Sequence, residues 1–349
     1  MTVSDWIRAI SDAAAAWRDP EYPAREAAVR ATLEAPNRFT EEGLAFALNH
    51  LTHQLRPTAL RERVAQHAAS EPRTVGVVCS GDAPLDGLTD TLAALLVGHR
   101  VIVCPAPESP ALLPAFLDAV MELSEAEDEA VRFADLAVLF SGADAVVASG
   151  DEDALDGLTK RVDAADIPSE RRWLKRSGFA IAVIDGGEDA ETRSGLAEDL
   201  LLHEGLGPRA PSVVWAPAGL DPDGLLDTLA GFRELYPPHP DTDGTLRMAT
   251  AFLVAAKQPH ATGPGFLLSK GEPEPQAAAH VRWSEYASLS DVADWLQTHR
   301  DTVDFVVARP EVSAALGAAL DIDVPFVEPG DAHRPRLFDD GLLAFLAAV

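Results

Sequence analysis

The residues able to do chemistry are few and scattered. Two thiols occur, Cys79 and Cys104, each at the end of a short apolar run (TVGVVC and VIVC). Two cysteines make neither a disulfide framework nor a cysteine-rich zinc site. The ten histidines show no HExxH spacing, and none adjoins a cysteine, so no metal ligand set is expected. Asp241 and Asp243 in PDTDG resemble a fragment of a calcium loop whose spacing does not continue, and they read as a solvated turn. His203-Glu204, just before GLG, reads as a helix C-terminal feature. Gly81, Pro84 and Gly87 follow a strand and open a helix, where backbone N–H groups can hold a phosphate. They lack the three-glycine dinucleotide spacing, so a plain strand-to-helix turn fits them equally. Gly150 occupies a similar place, but Asp151, Glu152, Asp153 and Asp156 crowd the helix after it. Carboxylates complement a helix N-terminus and repel a pyrophosphate, so capping is the reading there. No G-x-S-x-G and no P-loop is present.

The elements that position these residues follow from periodicity. The first 70 residues read as helices: Ser4 caps one carrying Trp6, Ile7, Ile10, Ala14 and Trp17 on one face. Thr40 opens another carrying Leu44, Leu48, Leu51 and Leu55. From Val75 the pattern becomes strand–helix–strand. Strands are expected at Val75–Cys79, Val101–Cys104 and Ala145–Ala148, as neighbours in one parallel sheet. Helices are expected near Thr91–Leu96, Ala111–Leu123, 129–140 and up to about Val162. The basic stretch SERRWLKRSG (Ser169–Gly178) reads as a domain crossover. Beyond it come strands at Phe179–Ile184, Ser212–Trp215, Phe266–Leu268, His280–Trp283 and Phe305–Ala308. Helices are expected near 191–203, 224–235 and 245–256, with an apolar terminal helix in DDGLLAFLAAV. No internal repeat or low-complexity segment is visible.

Charge bounds the partners. Of 349 residues, 56 are acidic and 28 basic, a net charge of −28, with the acids spread from end to end. Such a surface opposes a nucleic-acid backbone. Lys160, Lys175, Lys257 and Lys270 are the only lysines. An evenly acidic, lysine-poor, alanine-rich chain is expected to work in high salt, where screening over a few ångströms removes its self-repulsion. No run of about 18 apolar residues exists, so no membrane span is expected. MTVSDWIRAISD carries acids and lacks a basic start before an apolar core, so it does not read as a signal peptide, and a cytoplasmic protein is the expectation.

Three collinear segments carry a family resemblance. TVGVVCSGDAPLDGLTDTLAALLVGHRVIVCPAPESPALL, then FADLAVLFSGADAVVASG, then GFAIAVIDGGED followed by LAEDLLLHEGLGPR resemble the acyl-CoA reductases of the aldehyde dehydrogenase superfamily. That family includes the fatty-acid reductases of bacterial bioluminescence. PFVEPGDAHRPRLFDDGLLAFL resembles the family's ending, so the similarity runs from about Arg73 to the last residue.

The resemblance implies an α/β fold of aldehyde-dehydrogenase type, with two doubly wound lobes and an N-terminal helical segment. The implied divisions are a helical segment over 1–72 packed on the first lobe, a nucleotide-binding-like lobe over 73–177, a catalytic-type lobe over 178–322, and a return segment with a helix over 323–349. The family reaction reduces acyl-CoA with NADP or NAD to an aldehyde. A cysteine thiolate takes the acyl group, and a backbone N–H with an asparagine amide stabilises the oxyanion.

At each implied station this sequence departs. Family pattern G-L-G-C-R falls on Gly205, Leu206, Gly207, Pro208 and Arg209, so proline stands at the nucleophile position, with neither thiol nor N–H. Pattern G-N-x-P falls on Gly81, Asp82, Ala83 and Pro84, placing a carboxylate where the oxyanion donor belongs. The strand-end lysine becomes Cys104, and the glycine-serine at the phosphate-binding helix becomes Gly150-Asp151.

These departures leave three readings open. One is a member without thioester chemistry that survives as a binder of an acyl carrier or nucleotide, or as a partner subunit, with no cofactor needed. Another is an active acyl-CoA or aldehyde oxidoreductase with a relocated thiol. The third is an unrelated α/β enzyme sharing the layout. By family resemblance the ligands are acyl-CoA or an acyl carrier, and the assembly a homo- or hetero-oligomer, although no associating hairpin is legible. If the carry-over holds, Gly205–Arg209 faces the Gly81–Pro84 turn across the crevice between the lobes.

Overall fold

The computed structural model describes residues 2–124 and 130–349 and divides into two compact units. The first comprises Met1–Asn37, Leu44–Arg176 and Arg336–Val349; the second comprises Arg38–Gly43 and Ser177–Pro335.

In the first unit, β1 (Thr74–Val78), β2 (Arg100–Cys104), β3 (Val131–Phe133), β4 (Ala145–Gly150) and β5 (Arg172–Arg176) form one parallel sheet in the order β3-β2-β1-β4-β5. Val75 pairs with Val101 on one side and Ala145 on the other, so the three expected strands are neighbours. The order reverses between β1 and β4. In open α/β sheets the crevice at such a reversal, outside the carboxyl ends of the strands, is where ligands bind.

β1 is apolar because helices cover both of its faces. Gly76 lies in its middle, where a Cβ would come within 2.5 Å of Leu139 Cδ2, from the helix Leu136–Gly142. The helix Leu88–Val97 stops at Gly98, whose φ of 116° only glycine takes readily. Trp17, following the helix Val3–Ala16, meets Phe116 edge-on at 5.2 Å. The terminal helix Asp340–Ala348 packs on Leu88–Val97, and Leu346 O receives a hydrogen bond from His99 Nε2 at 2.7 Å.

Three local expectations need correction here. The cap of Val3–Ala16 is Thr2 rather than Ser4: Thr2 Oγ1 accepts from Asp5 N while the Asp5 carboxylate accepts from Thr2 N, a reciprocal box that Ser4 is one turn too late to make. The helix expected over 129–140 begins outside the described residues, and its next part is the strand Val131–Phe133. Alternating burial and pairing with β2 override helical spacing there. Ser169–Gly178 is no simple crossover: Arg172–Arg176 is the edge strand β5, with Val147 opposite Trp173, and edge strands tolerate such charge.

In the second unit, β6 (Phe179–Val183), β7 (Pro211–Pro217), β8 (His260–Gly263), β9 (Phe266–Lys270), β10 (His280–Tyr286), β11 (Val303–Ala308) and β12 (Phe326–Val327) form a sheet in the order β12-β11-β6-β7-β10-β9-β8. All pairings are parallel except β8–β9, a hairpin that closes one edge. Trp215, Val292, Leu296, Val306 and Leu316 fill the core on one face. The helix expected from about Thr245 starts at Thr242, with Asp241 as its N-terminal flank and Asp243 in its first turn. Asp243 there pairs with Arg247 at 2.9 Å, as carboxylates near a helix N-terminus favour. Among the described residues, no helix is long and apolar enough to cross a membrane.

The close approach at Gly76 gives a direct test. Gly76→Ala is expected to lower unfolding free energy by about 1–3 kcal/mol, the usual effect of forcing a methyl into a packed core. Combined with Leu139→Ala it should lose less than the sum of the two single changes, measured by chemical denaturation.

Candidate functional site

The residues singled out in the first unit converge on the carboxyl edge of its sheet. Cys104 ends β2 beside the end of β1, with Cys79 N donating to Cys104 O at 3.1 Å. The turn Ser80–Gly87 leaves β1, and Gly150 ends β4. Gly81, Asp82, Pro84, Cys104, Gly150 and Asp151 therefore sit around the topological reversal, where a phosphate would meet free backbone amides.

Those amides are already bound. The Asp86 carboxylate accepts from Ser80 N at 2.5 Å, Ser80 Oγ at 2.9 Å and Gly81 N at 3.2 Å. Gly81, at φ 87°, curls the chain around this carboxylate, and its outer side lies against Glu108. Pro84 O accepts from Ser109 Oγ at 2.6 Å, fixing the far side of the turn. At the other strand end, Asp151 caps the helix Glu152–Ala164 by accepting from Ala154 N at 2.8 Å. Both ready-made anion sites thus hold a side-chain carboxylate of the chain itself.

The electrostatics follow. Burial pushes the Asp82 carboxyl above its ordinary range, and the neighbouring charges of Asp86, Asp151 and Glu108 push it further. Burial, with Asp86 and Asp339 adding to it, raises Asp90 to about 7. The same forces act on the thiols: burial, then Asp86 and Asp90, drive Cys79 far above the usual thiol range, and burial then Asp135 raise Cys104. A thiolate is the nucleophilic form, and both cysteines disfavour it. A nicotinamide dinucleotide does not fit these residues: its pyrophosphate would need the amides that Asp86 and Asp151 occupy, among further carboxylates, with Cys104 supplying no positive charge.

In the second unit the candidate segment follows the helix Ala190–Leu201. His203 (φ 53°), Glu204 (φ 62°) and Gly205 (φ 63°) make three successive left-handed residues, and Gly207 is a fourth at φ 83°. For residues with a Cβ this conformation costs about 1–2 kcal/mol each. The site is anchored by Glu204, whose carboxylate receives Arg233 at 2.9 and 3.3 Å and the Thr242 hydroxyl at 2.5 Å, while its carbonyl accepts from Ala279 N at 2.7 Å. Both charged side chains are 2 % exposed. Gly205 is confined as well, since a Cβ there would lie 2.7 Å from Leu200 O.

Pro208 follows this turn, half-buried, with no N–H to offer. Arg209 donates Nε to Ala332 O and lies 5.0 Å over the Phe305 ring; burial lowers its pKa. The segment Gly330–Arg334 closes against the same helix. The Asp199 carboxylate accepts from Gly330 N at 2.7 Å and Ala332 N at 3.1 Å, and His333 Nε2 meets Asp199 O at 3.0 Å. His203 stacks edge-on to His333 at 5.5 Å and to Phe39 at 6.2 Å. Burial holds His203 at about 4 and His333 at about 3, the neutral state, and raises Asp199 to about 7. At the end of β6, Glu188 repeats the pattern of the first unit, accepting from Asp185 N and Gly186 N at 3.0 Å each.

The sequence reading missed the part played by His203-Glu204. The pair does follow a helix, but Glu204 is the buried anchor of a left-handed turn. An isolated acid between an apolar run and two closely spaced glycines, LLHEGLG, is the signal that was available. Asp86 and Asp199 were missed because nothing local distinguishes them from other acids. Among the described residues no group of three or more His, Cys, Asp or Glu could hold a metal.

No family model matches the chain, and no curated protein matches it. Solved structures do. An NAD-dependent benzaldehyde dehydrogenase from Corynebacterium glutamicum superposes with a TM-score of 0.70 at 13% identity, over 99% of this chain and 84% of that one. A succinic semialdehyde dehydrogenase from Streptococcus pyogenes, solved with NADP+, gives 0.68 at 11% identity, over 93% and 81%. A lactaldehyde dehydrogenase gives 0.65 at 13% identity, over 93% and 78%. The fold is that of the aldehyde dehydrogenase superfamily.

Two outcomes test this description. Arg233→Met strands the Glu204 charge and is expected to cost about 3–5 kcal/mol, whereas Arg233→Met with Glu204→Leu should recover much of that loss in urea denaturation. The pH dependence has a sign for each group. Asp199 is raised above its ordinary value near 4, so proton uptake by the folded state stabilises it as pH falls from about 7. His203 and His333 are lowered, so they withdraw stability as pH falls below about 6.5. Between pH 7 and 5, Asp199→Asn should therefore lose stability more steeply than wild type, and His333→Gln less steeply.

Proposed function

We propose that this chain is an acyl-CoA-reductase-type member of the aldehyde dehydrogenase superfamily that no longer performs thioester reduction and acts in molar salt as a binding or partner protein for acyl-CoA or an acyl carrier. The observation that carries the reading is Pro208. It stands at the implied nucleophile position in a turn whose left-handed residues are fixed by the buried Glu204–Arg233 pair, so the backbone is tightly specified around a residue with neither thiol nor N–H.

Three further features support it. Asp82 stands at the implied oxyanion-donor position, with its carboxyl raised by burial and by surrounding acids. Asp86 and Asp151 take the amides a dinucleotide would use. Cys79 and Cys104 are held as thiols, which speaks against an oxidoreductase built on a relocated nucleophile.

The experiment is acyl-CoA-dependent oxidation of NADPH or NADH in molar KCl. Wild type is expected to show none. Pro208→Cys alone should also remain silent, because loss of a single oxyanion donor typically removes a factor of about 100–1,000 and Asp82 adds a repelling charge. Adding Asp82→Asn should restore slow acylation of the new cysteine, read by mass spectrometry. Turnover should need Asp86→Ser, Asp151→Ser and Cys104→Lys as well. Robust turnover by wild type would overturn the reading, and robust turnover by Pro208→Cys alone would show the other departures to be harmless.

A further inference from the structure

Among the described residues, the four most exposed large hydrophobic side chains are Leu235 (74 %), Met248 (72 %), Phe252 (72 %) and Val254 (60 %); the next, Leu123, is at 47 %. Three of the four lie on the helix Thr242–Ala256, and Leu235 ends the helix before it. Only Thr242, Leu246 and Leu253 of Thr242–Ala256 are buried. Its outer surface carries Gly244, Met248, Ala251 and Ala255, all exposed, at the i, i+4, i+7, i+11 spacing of a helix–helix seam. A Cβ at Gly244 would meet no atom within 4 Å, so the seam is open.

We propose that this face is a self-association surface, on which a second copy of the chain docks its own Thr242–Ala256 helix antiparallel across a two-fold axis. The seam is self-complementary in that arrangement. Placing the axis between residues 249 and 250 sets Met248 against Ala251 of the other copy and Gly244 against Ala255, a large residue against a small one at each step. Gly244 and the alanines let the backbones approach, and methionine adapts to what it meets. Phe252 comes opposite Arg247, whose guanidinium suits an aromatic face.

The charges point to the same occupant. In a chain of net −28, the stretch Thr242–Lys257 carries one acid, Asp243, against Arg247 and Lys257. It is therefore a surface that repels another copy least. Antiparallel pairing also brings Asp243 at one helix end towards Lys257 at the other end of the partner helix, twice by symmetry. Within one copy these residues are 14 positions apart, about 21 Å along a helix, and cannot meet.

The area sets the strength. Fifteen residues span about 22 Å, and one helix face falls well short of the roughly 800 Å² per partner of a standard interface. The dimer is accordingly weak and concentration-dependent. Because the two copies repel through −28 each, it strengthens as salt shortens the screening length from about 10 Å to about 3 Å.

Sedimentation equilibrium of the full chain tests this in 0.1 M and molar KCl. The weight-average mass should rise from one chain towards two with protein concentration in molar KCl, and far less at low salt. Phe252→Glu and Met248→Glu, at positions already exposed, should weaken association at least tenfold with an unchanged circular dichroism spectrum. Asp243→Lys should weaken it, and Asp243→Lys with Lys257→Asp should restore it, which only contact between copies can produce. A monomer at every salt concentration would overturn the proposal and assign the face to a different partner. A dimer indifferent to Phe252→Glu would overturn it equally, by placing the contact elsewhere.

Discussion

The geometry of both candidate segments depends on side-chain carboxylates that accept from the chain's own backbone amides. A parallel α/β sheet inevitably produces N–H groups with no strand partner where its strands turn into helices. In many proteins of this architecture those donors face a ligand. Here Asp86 takes the amides of Ser80 and Gly81, Asp151 takes that of Ala154, Glu188 takes those of Asp185 and Gly186, and Asp199 takes those of Gly330 and Ala332. Charge-assisted hydrogen bonds of this kind are stronger than neutral ones and rigidify the turns. They also fill with fixed negative charge the positions an incoming anion would need.

The second unit adds a different constraint. Its turn at His203–Gly205 is strained, and strain persists only where surrounding contacts over-determine it. The bidentate Glu204–Arg233 pair and the Thr242 hydroxyl supply that determination from two separate helices. A buried ion pair is weak evidence for net stability but strong evidence for a specified geometry in this turn, because removing either partner leaves an uncompensated charge. What the turn presents is Pro208, so the geometry is retained around a residue that can neither attack nor donate.

The sequence made the architecture legible and most of the site's chemistry illegible, for a physical reason. Strand–helix alternation is local: TVGVVC, RVIVC and ADAVVASG announce themselves by apolar runs between turn residues, and their parallel pairing follows from the helices that separate them. The substitutions at Pro208 and Asp82 were visible because they are identities at fixed offsets from glycines. Which of 56 acids fills which turn is a long-range property: Asp86 reaches back to Ser80 and Asp199 reaches forward 131 residues to Gly330. Edge strands were misread for a related reason. Arg172–Arg176 is charged like a linker, and only its pairing with β4 reveals it as a strand.

The central claim is that the amides at the β1 and β4 ends are held by Asp86 and Asp151 in place of a dinucleotide pyrophosphate. Isothermal titration of the wild-type chain with NADP+ and with NAD+ in molar KCl tests it most directly. The account predicts no saturable binding up to millimolar nucleotide, and measurable binding once Asp86→Ser and Asp151→Ser are combined. Micromolar binding by the wild-type chain would contradict it.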